Sequence, residues 1–297
     1  MQKGNFGQQF VEKGSGNVII DMHTHLVNFD TEFGQQLKDD LTRCGIPHDV
    51  WRFTQEDYLK GTAKADRAVV FGIKGKITGW NCKNEWIAEF VERRKEKYIF
   101  FASVDPCDED VLEDLKYCHR DLGCKGVKLG PVYQGKHPHD PVYYKIYEYC
   151  EDNQLPIMIH MATTFSSGVP LEYARPVHMD RVSCDFPNLK IILAHLGHPW
   201  IGETLSIIRK QKNVFADLSA LYYRPWQFYN AMILAAEYGC GGKILFGSDF
   251  PATTTEGSIN GLRNVNKIVE GTNLPKVPMS MIEEIIHRDS LSLLGIK

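Results

Sequence analysis

The chain has 297 residues, 34 Lys plus Arg against 37 Asp plus Glu, a formal net charge of -3 and a 43% hydrophobic fraction. That composition fills a large core and excludes a disordered tail, a collagen-like repeat and a small disulfide scaffold, while the lack of positive excess argues against a nucleic-acid binder. No apolar run approaches the roughly 20 residues that span a bilayer, and the N-terminal MQKGNFGQQFVEKGSGN lacks a signal-peptide core, so a cytoplasmic protein with no membrane partner is expected.

In chain order the apolar segments are NVIIDMHTH (17–25), ADRAVVFG (65–72), YIFFASVDP (98–106), CKGVKLGP (124–131), LPIMIHM (155–161), LKIILAHLG (189–197), VFADLSA (214–220) and KILFGSDF (243–250). They are rich in Val, Ile, Leu and Phe and near-continuous, as parallel strands covered on both faces are. Amphipathic stretches at 84–97, 109–123, 142–153, 200–213 and 225–239 have helical spacing; the last has Pro225 in its first turn and Gly239 after its end. Eight such units in about 250 residues predict a single α/β domain over residues 1–297, a (β/α)8 TIM barrel. No G-x-G-x-x-G follows the first strand, and no G-x-x-x-x-G-K-[ST] occurs.

Two stretches exceed ordinary loop length. Residues 26–64 and 162–176 are expected to be active-site inserts, the first forming part of a lid or wall. The eight cysteines, at 44, 82, 107, 118, 124, 150, 184 and 240, form no Cys-x-x-Cys pair. They are read as buried or incidental thiols of a reducing compartment.

Chemistry concentrates at strand ends. In Asp21-Met22-His23-Thr24-His25 the two histidines are two apart, so on a regular strand both leave one face, and two imidazoles there can grip a divalent metal. His160 ends the fifth strand, His195 the sixth and Asp249 the eighth, where barrel enzymes place their reactive groups. The expected metal ligands are His23, His25, His160 and Asp249, around one ion for which zinc is the leading choice. Asp21 has the parity of the two histidines and is either a further ligand or a carboxylate that orients an imidazole. His195 either coordinates the metal or carries a proton beside it.

Four cations are candidates for binding an anionic small-molecule substrate: Lys128, Arg175, Arg224 and Arg52. For Lys128, a buried ion pair and a metal-bridging carbamate also stand open. Tyr222, Tyr223, Trp51, Trp200 and Phe165 are candidates for an aromatic wall.

The motifs DMHTHL, GVKLGP, PIMIH, ILAHLGHPW and LFGSDFP resemble the amidohydrolase superfamily. Within it they are similar to the amidohydrolase-related branch that includes aminocarboxymuconate-semialdehyde and resorcylate-type decarboxylases and uncharacterised metal-dependent hydrolases. The closing HRDSLSLLGI has Asp289-Ser290 where that branch usually has Asn-Ala. The resemblance implies a distorted barrel of the metal-dependent hydrolase type with one divalent ion. It implies His23, His25, His160 and Asp249 as ligands, His195 and Asp249 as catalytic groups, and a homodimer as a common state.

The branch performs two reactions with one ligand set, so the fold does not choose between them. Hydrolysis of a small amide, ester or lactone by metal-activated water is the first expectation. The alternative is non-oxidative decarboxylation of a small aromatic or unsaturated carboxylic acid. A third reading is a non-catalytic barrel stabilised by a fully coordinated metal.

Overall fold

The computed structural model describes residues 18–297, so the N-terminal segment read above for a signal peptide lies outside the described residues. All eight expected strands are present. The first is Ile20–His25, the second Arg67–Phe71, and the third is broken into Tyr98–Phe100 and Ala102–Ser103. Val127–Leu129, Ile157–Ile159, Ile191–Leu193, Val214–Asp217 and Ile244–Leu245 follow.

Pairing is parallel between successive strands, and the break in the third strand divides the ladder into arcs of three and six. The ring closes from the eighth strand back to the first. Met22 N–H donates to Phe246 O and His25 N–H to Phe250 O, both at 2.9 Å. This is the α/β TIM barrel that the segment count predicts.

Alternation along each strand separates two apolar layers. Val69, Ile99, Phe101, Met158, Ile192, Phe215 and Leu245 fill the barrel interior. Ile157, Ile159, Ile191, Leu193, Val214 and Ala216 point outward onto the surrounding helices. The helices Asn84–Glu92, Val111–Arg120, Tyr144–Asp152, Ile201–Lys210 and Pro225–Glu237 sit within the predicted stretches. Helices His178–Asp185, Thr255–Arg263 and Met279–Ile286 were not singled out from sequence. The buried apolar sets of the first two, Met179 with Val182 and Ile259 with Leu262, are only two residues each and give a weak periodic signal.

The first strand departs from regular parity. Asp21 pairs with Ala68 but Thr24 pairs with Val70, so one extra residue is accommodated between them. Such an irregularity exchanges the faces of the residues beyond it. His25 therefore pairs with inward-facing Phe71, whereas Asp21 pairs with Ala68 of the outer layer. The expectation that Asp21 shares a face with His23 and His25 is corrected by this bulge.

Both long inserts are structured. The first contains helices Phe29–Glu32, Gln35–Arg43 and Gln55–Gly61, the last opened by a reciprocal Thr54–Asp57 capping box. The second ends in the short 3-10 helix Leu171–Ala174. They are tied together: Asp40 accepts from the Ser167 backbone N–H at 3.1 Å and the Ser167 hydroxyl at 2.7 Å, and Arg43 donates to Phe165 O at 2.6 Å. All eight cysteines are free thiols, five of them buried.

Candidate active site

At the C-terminal mouth of the barrel three donor atoms converge. His23 Nε2 and His25 Nε2 are 3.2 Å apart, and Asp249 Oδ1 lies 3.1 Å from the first and 3.3 Å from the second. Metal–nitrogen bonds of about 2.0–2.1 Å in a tetrahedron place ligand atoms about 3.3 Å apart, so this triangle already has the edge length of one coordination face. His195 also offers a ring nitrogen within 4.8 Å of the ligand atoms of His23 and Asp249.

The backbone is shaped for this convergence. Asp249 and His195 have left-handed φ values of 63° and 58°, as do the adjoining Leu196 at 48° and Ala220 at 60°. Such non-glycine conformations cost of order 1 kcal/mol each and tend to gather at functional sites. Gly247 lies against the first strand; a Cβ there would stand 2.8 Å from His23 Cβ.

A buried carboxylate that sequence reading missed organises the histidines. Asp217 Oδ2 accepts from His23 Nδ1 at 2.9 Å, and Oδ1 accepts from the backbone N–H of His195 and of Ser219 at 3.1 and 3.0 Å. The Ser219 hydroxyl donates to the same carboxylate. Burial alone would raise the Asp217 pKa, yet His23, His195 and Ser219 hold it well below the usual carboxylate range. Asp217 ends the apolar run VFAD, so the strand-end rule that identified Asp249 would have found it too.

The same network orients the imidazoles. Asp217 takes the Nδ1 proton of His23 and leaves Nε2 free to coordinate. His160 Nε2 donates to Thr163 O at 3.3 Å, which leaves its Nδ1 as a lone pair. The Ser219 proton is committed to Asp217, so its oxygen accepts from His195 Nδ1 at 2.8 Å and His195 Nε2 is also a lone pair. His195 Nε2 and His160 Nδ1 are 3.1 Å apart. Two facing lone pairs at that distance call for a proton or a cation, a second sign that the residues fit a metal.

Burial pushes the His25 pKa down to about 4 and that of His195 to about 3, and lowers His160 well below its ordinary value. His23 also feels burial and Lys128, but Asp217 and Asp249 outweigh them and the net shift is upward. Burial would raise Asp249; His195, His23 and His25 bring it well below the carboxylate range. Neutral His25, His160 and His195 beside an ionised Asp249 are the protonation states a divalent ion requires, whereas His23 would release its Nε2 proton when an ion binds.

Beside these donors lies a cavity of about 430 Å³. Its wall is aromatic: Trp51 and Trp80 meet edge to face with centroids 5.4 Å apart, Trp80 packs on Tyr133 at 5.4 Å, and Tyr133 on His160 at 4.9 Å. Phe165 and Tyr223 also line it, together with Thr163, Thr164 and His198. Of the aromatic candidates, Tyr222 and Trp200 lie outside this lining. Trp80 and Tyr133 were not foreseen. Trp80 is carried by a small antiparallel pair, Lys74–Gly75 with Trp80–Asn81, too short to give an alternating pattern.

The remaining candidates separate by position. Asp21 accepts from Ser248 N–H at 2.8 Å and the Thr255 hydroxyl at 2.7 Å, so it holds the turn before Asp249 and orients no imidazole side chain. Lys128 is fully buried below the cavity; its Nζ has no hydrogen-bond partner and lies 4.7 Å from the Phe71 ring centroid. Burial brings its pKa down to about 8. Lys128 makes no ion pair and does not line the cavity, but its charge acts on the site by disfavouring protonation of His23, His25, His160 and His195. Arg175 is paired with Glu203 outside the cavity, and Arg52 with Asp30 at 3.1 Å. Arg224 alone among the four cations lines the cavity, stacked on Tyr223 at 4.4 Å.

Comparison with known proteins follows the same lines. A family model described as amidohydrolase matches residues 20–270. A curated relative, 2-amino-3-carboxymuconate-6-semialdehyde decarboxylase of Dictyostelium discoideum, is 28% identical over 154 residues, covering 46% of this chain and 43% of the relative. The match thus spans under half the length of that relative. An uncharacterised TIM-barrel protein from Bordetella bronchiseptica superimposes with a TM-score of 0.72 at 20% identity, covering 94% of this chain and 98% of that one. The 5-carboxyvanillate decarboxylase of Sphingomonas paucimobilis gives 0.69 at 12% identity, covering 95% and 100%. Among other similar folds, decarboxylases recur more often than hydrolases.

Proposed function

The chain belongs to the amidohydrolase family, and from that premise we propose that it is a metal-dependent, non-oxidative decarboxylase of a small aromatic or unsaturated carboxylic acid, working as one barrel over its whole length. The observation that carries this reading is the aromatic wall of Trp51, Trp80 and Tyr133 beside the donor triangle, with Arg224 on the same cavity. A planar acid fits between such rings, and a guanidinium matches a carboxylate bidentately. Recurrence of decarboxylases among relatives and similar folds supports the choice. It moves the weight away from hydrolysis, the first expectation from the motifs.

His23, His25 and Asp249 would hold the ion, for which we propose zinc, with His160 Nδ1 as a further ligand and a position left open for the substrate. Bound there, a divalent ion supplies Lewis-acid charge that fixes and polarises the substrate's oxygen atoms. The chain's own residues do the rest. The aromatic wall fixes the plane of the acid and excludes water, and Arg224 pairs with its anionic group. His195, anchored through Nδ1 by Ser219 and through its backbone by Asp217, presents Nε2 as the proton carrier. Because Nε2 is a lone pair, it first takes up a proton from solvent, and that proton goes to the carbon that bears the carboxylate. The carbon–carbon bond then breaks with its electron pair returning to that carbon, and carbon dioxide leaves.

The test is reconstitution with zinc or manganese and a screen of aromatic and unsaturated carboxylic acids alongside esters, amides and lactones. Carbon dioxide release equimolar with the decarboxylated product is expected. An acid product from the second panel, with no carbon dioxide from the first, would establish hydrolysis instead.

A further inference from the structure

A second histidine cluster stands apart from the candidate active site. His137 and His139 flank Pro138 in the loop after the fourth strand, and His178 opens the helix that follows the second insert. Their ligand-capable nitrogens lie within 4.8 Å of one another. Ring centroids are 5.2 Å apart for His137 and His139, 4.6 Å for His137 and His178, and 5.1 Å for His139 and His178. None of the three lines the active-site cavity.

The cluster is incompletely satisfied as it stands. Nδ1 of His137 and Nδ1 of His139 are both buried from solvent without a hydrogen-bond partner. Leaving such a nitrogen unpaired costs about 1–3 kcal/mol, so packing alone is a poor reason to collect three imidazoles. Glu172, in the 3-10 helix just before His178, places a carboxylate oxygen 3.8 Å from His137 Nε2. The loop itself is braced, since Pro138 O accepts from the Tyr147 hydroxyl at 2.8 Å and Asp140 caps Val142 N–H at 3.1 Å.

We propose that His137, His139 and His178 form a second divalent transition-metal site, with Glu172 as the nearest carboxylate, that staples the loop after the fourth strand to the helix at the end of the second insert. Three imidazoles select zinc, cobalt, nickel or copper over magnesium and calcium, which prefer oxygen ligands. A tetrahedral site needs nitrogens about 3.3 Å apart, so binding draws the two segments together by up to about 1.5 Å. The rings are half-buried, which leaves a path for the ion. Burial and the neighbouring imidazoles favour neutral His178, the form that coordinates. The insert whose end would be stapled carries Thr163, Thr164 and Phe165 of the cavity wall, so occupancy would stiffen one side of the active site.

The experiment compares metal-free wild type with His139→Ala and His178→Ala, each checked for native circular dichroism. Zinc stoichiometry is measured after gel filtration, and cobalt(II) spectra are recorded by titration. Wild type is expected to take up one more equivalent than either variant, whatever the occupancy of the active site. That extra equivalent should show intense tetrahedral cobalt bands, and the zinc-induced rise in Tm should be smaller in both variants than in wild type, since only the active-site ion still contributes. Equal stoichiometry in all three proteins, or a Tm response unchanged by both substitutions, would overturn the site.

Discussion

Asp217 Oδ2 accepts the Nδ1 proton of His23 at 2.9 Å, and the other oxygen of the same carboxylate takes the backbone N–H of His195 at 3.1 Å. One buried residue thus sets the tautomer of a proposed ligand and the position of the proposed proton carrier. An amide cannot do both, because its NH2 would face a donor on one side. Asp217→Asn is expected to lower metal affinity by about 10–100-fold and to reduce turnover with it. Competition with a chromophoric chelator measures the first, and initial rates at saturating metal the second.

The donor triangle makes a sharper demand. His23→Ala removes a nitrogen from two of its three edges. The variant should bind no metal at the active site and show no turnover, as read by metal analysis and product formation. His195→Asn should instead retain the ion and lose turnover. Full metal content and activity in the first variant would refute the ligand assignment, and loss of metal in the second would make His195 a ligand.

Gly247 tests the packing behind the triangle. Its absent side chain leaves room for His23, whose Cβ would lie 2.8 Å from a new methyl group. Gly247→Ala should cost about 1–3 kcal/mol of stability by overpacking and displace His23. Thermal unfolding and metal content are expected to fall together.

Arg224 and Arg175 provide a paired test of substrate contact. A charge-assisted hydrogen bond is worth about 1.5–3 kcal/mol, or roughly 10–100-fold in binding. With an acidic substrate, Arg224→Ala should raise KM by that order. Arg175→Ala, whose guanidinium is engaged by Glu203 outside the cavity, should leave KM near that of the parent.

Asp40 should make the clasp between the inserts sensitive to acid. Burial works to raise its pKa, but Ser167 and Arg43 hold it below the ordinary 3.8. A carboxyl lowered in the folded state stabilises above its unfolded pKa, and that stability is lost as pH falls through the folded value. Limited proteolysis around 163–167 should therefore be slow at neutral pH and accelerate below about pH 4. Asp40→Ala should be cleaved readily at both.

Barrel, strand ends and candidate reactive groups were legible in the sequence because they depend on local pattern. Eight short apolar runs could be counted, and a histidine or aspartate closing such a run stood out against Val, Ile and Leu. Asp217 satisfied the same rule, and its partner His23 lies 194 residues away. Closure of the ring alone turns that separation into a 2.9 Å contact. Asp21 was misplaced because parity assumes a regular strand, and a single bulge reverses it. Arg175 and Arg52 looked equal to Arg224 because a cation's partner is not written beside it. Trp80 and Tyr133 face the cavity only after three loops pack together. Local pattern thus determined the architecture and nominated candidate metal ligands, whereas contacts made by barrel closure and insert packing decided the network behind them and the aromatic wall of the cavity.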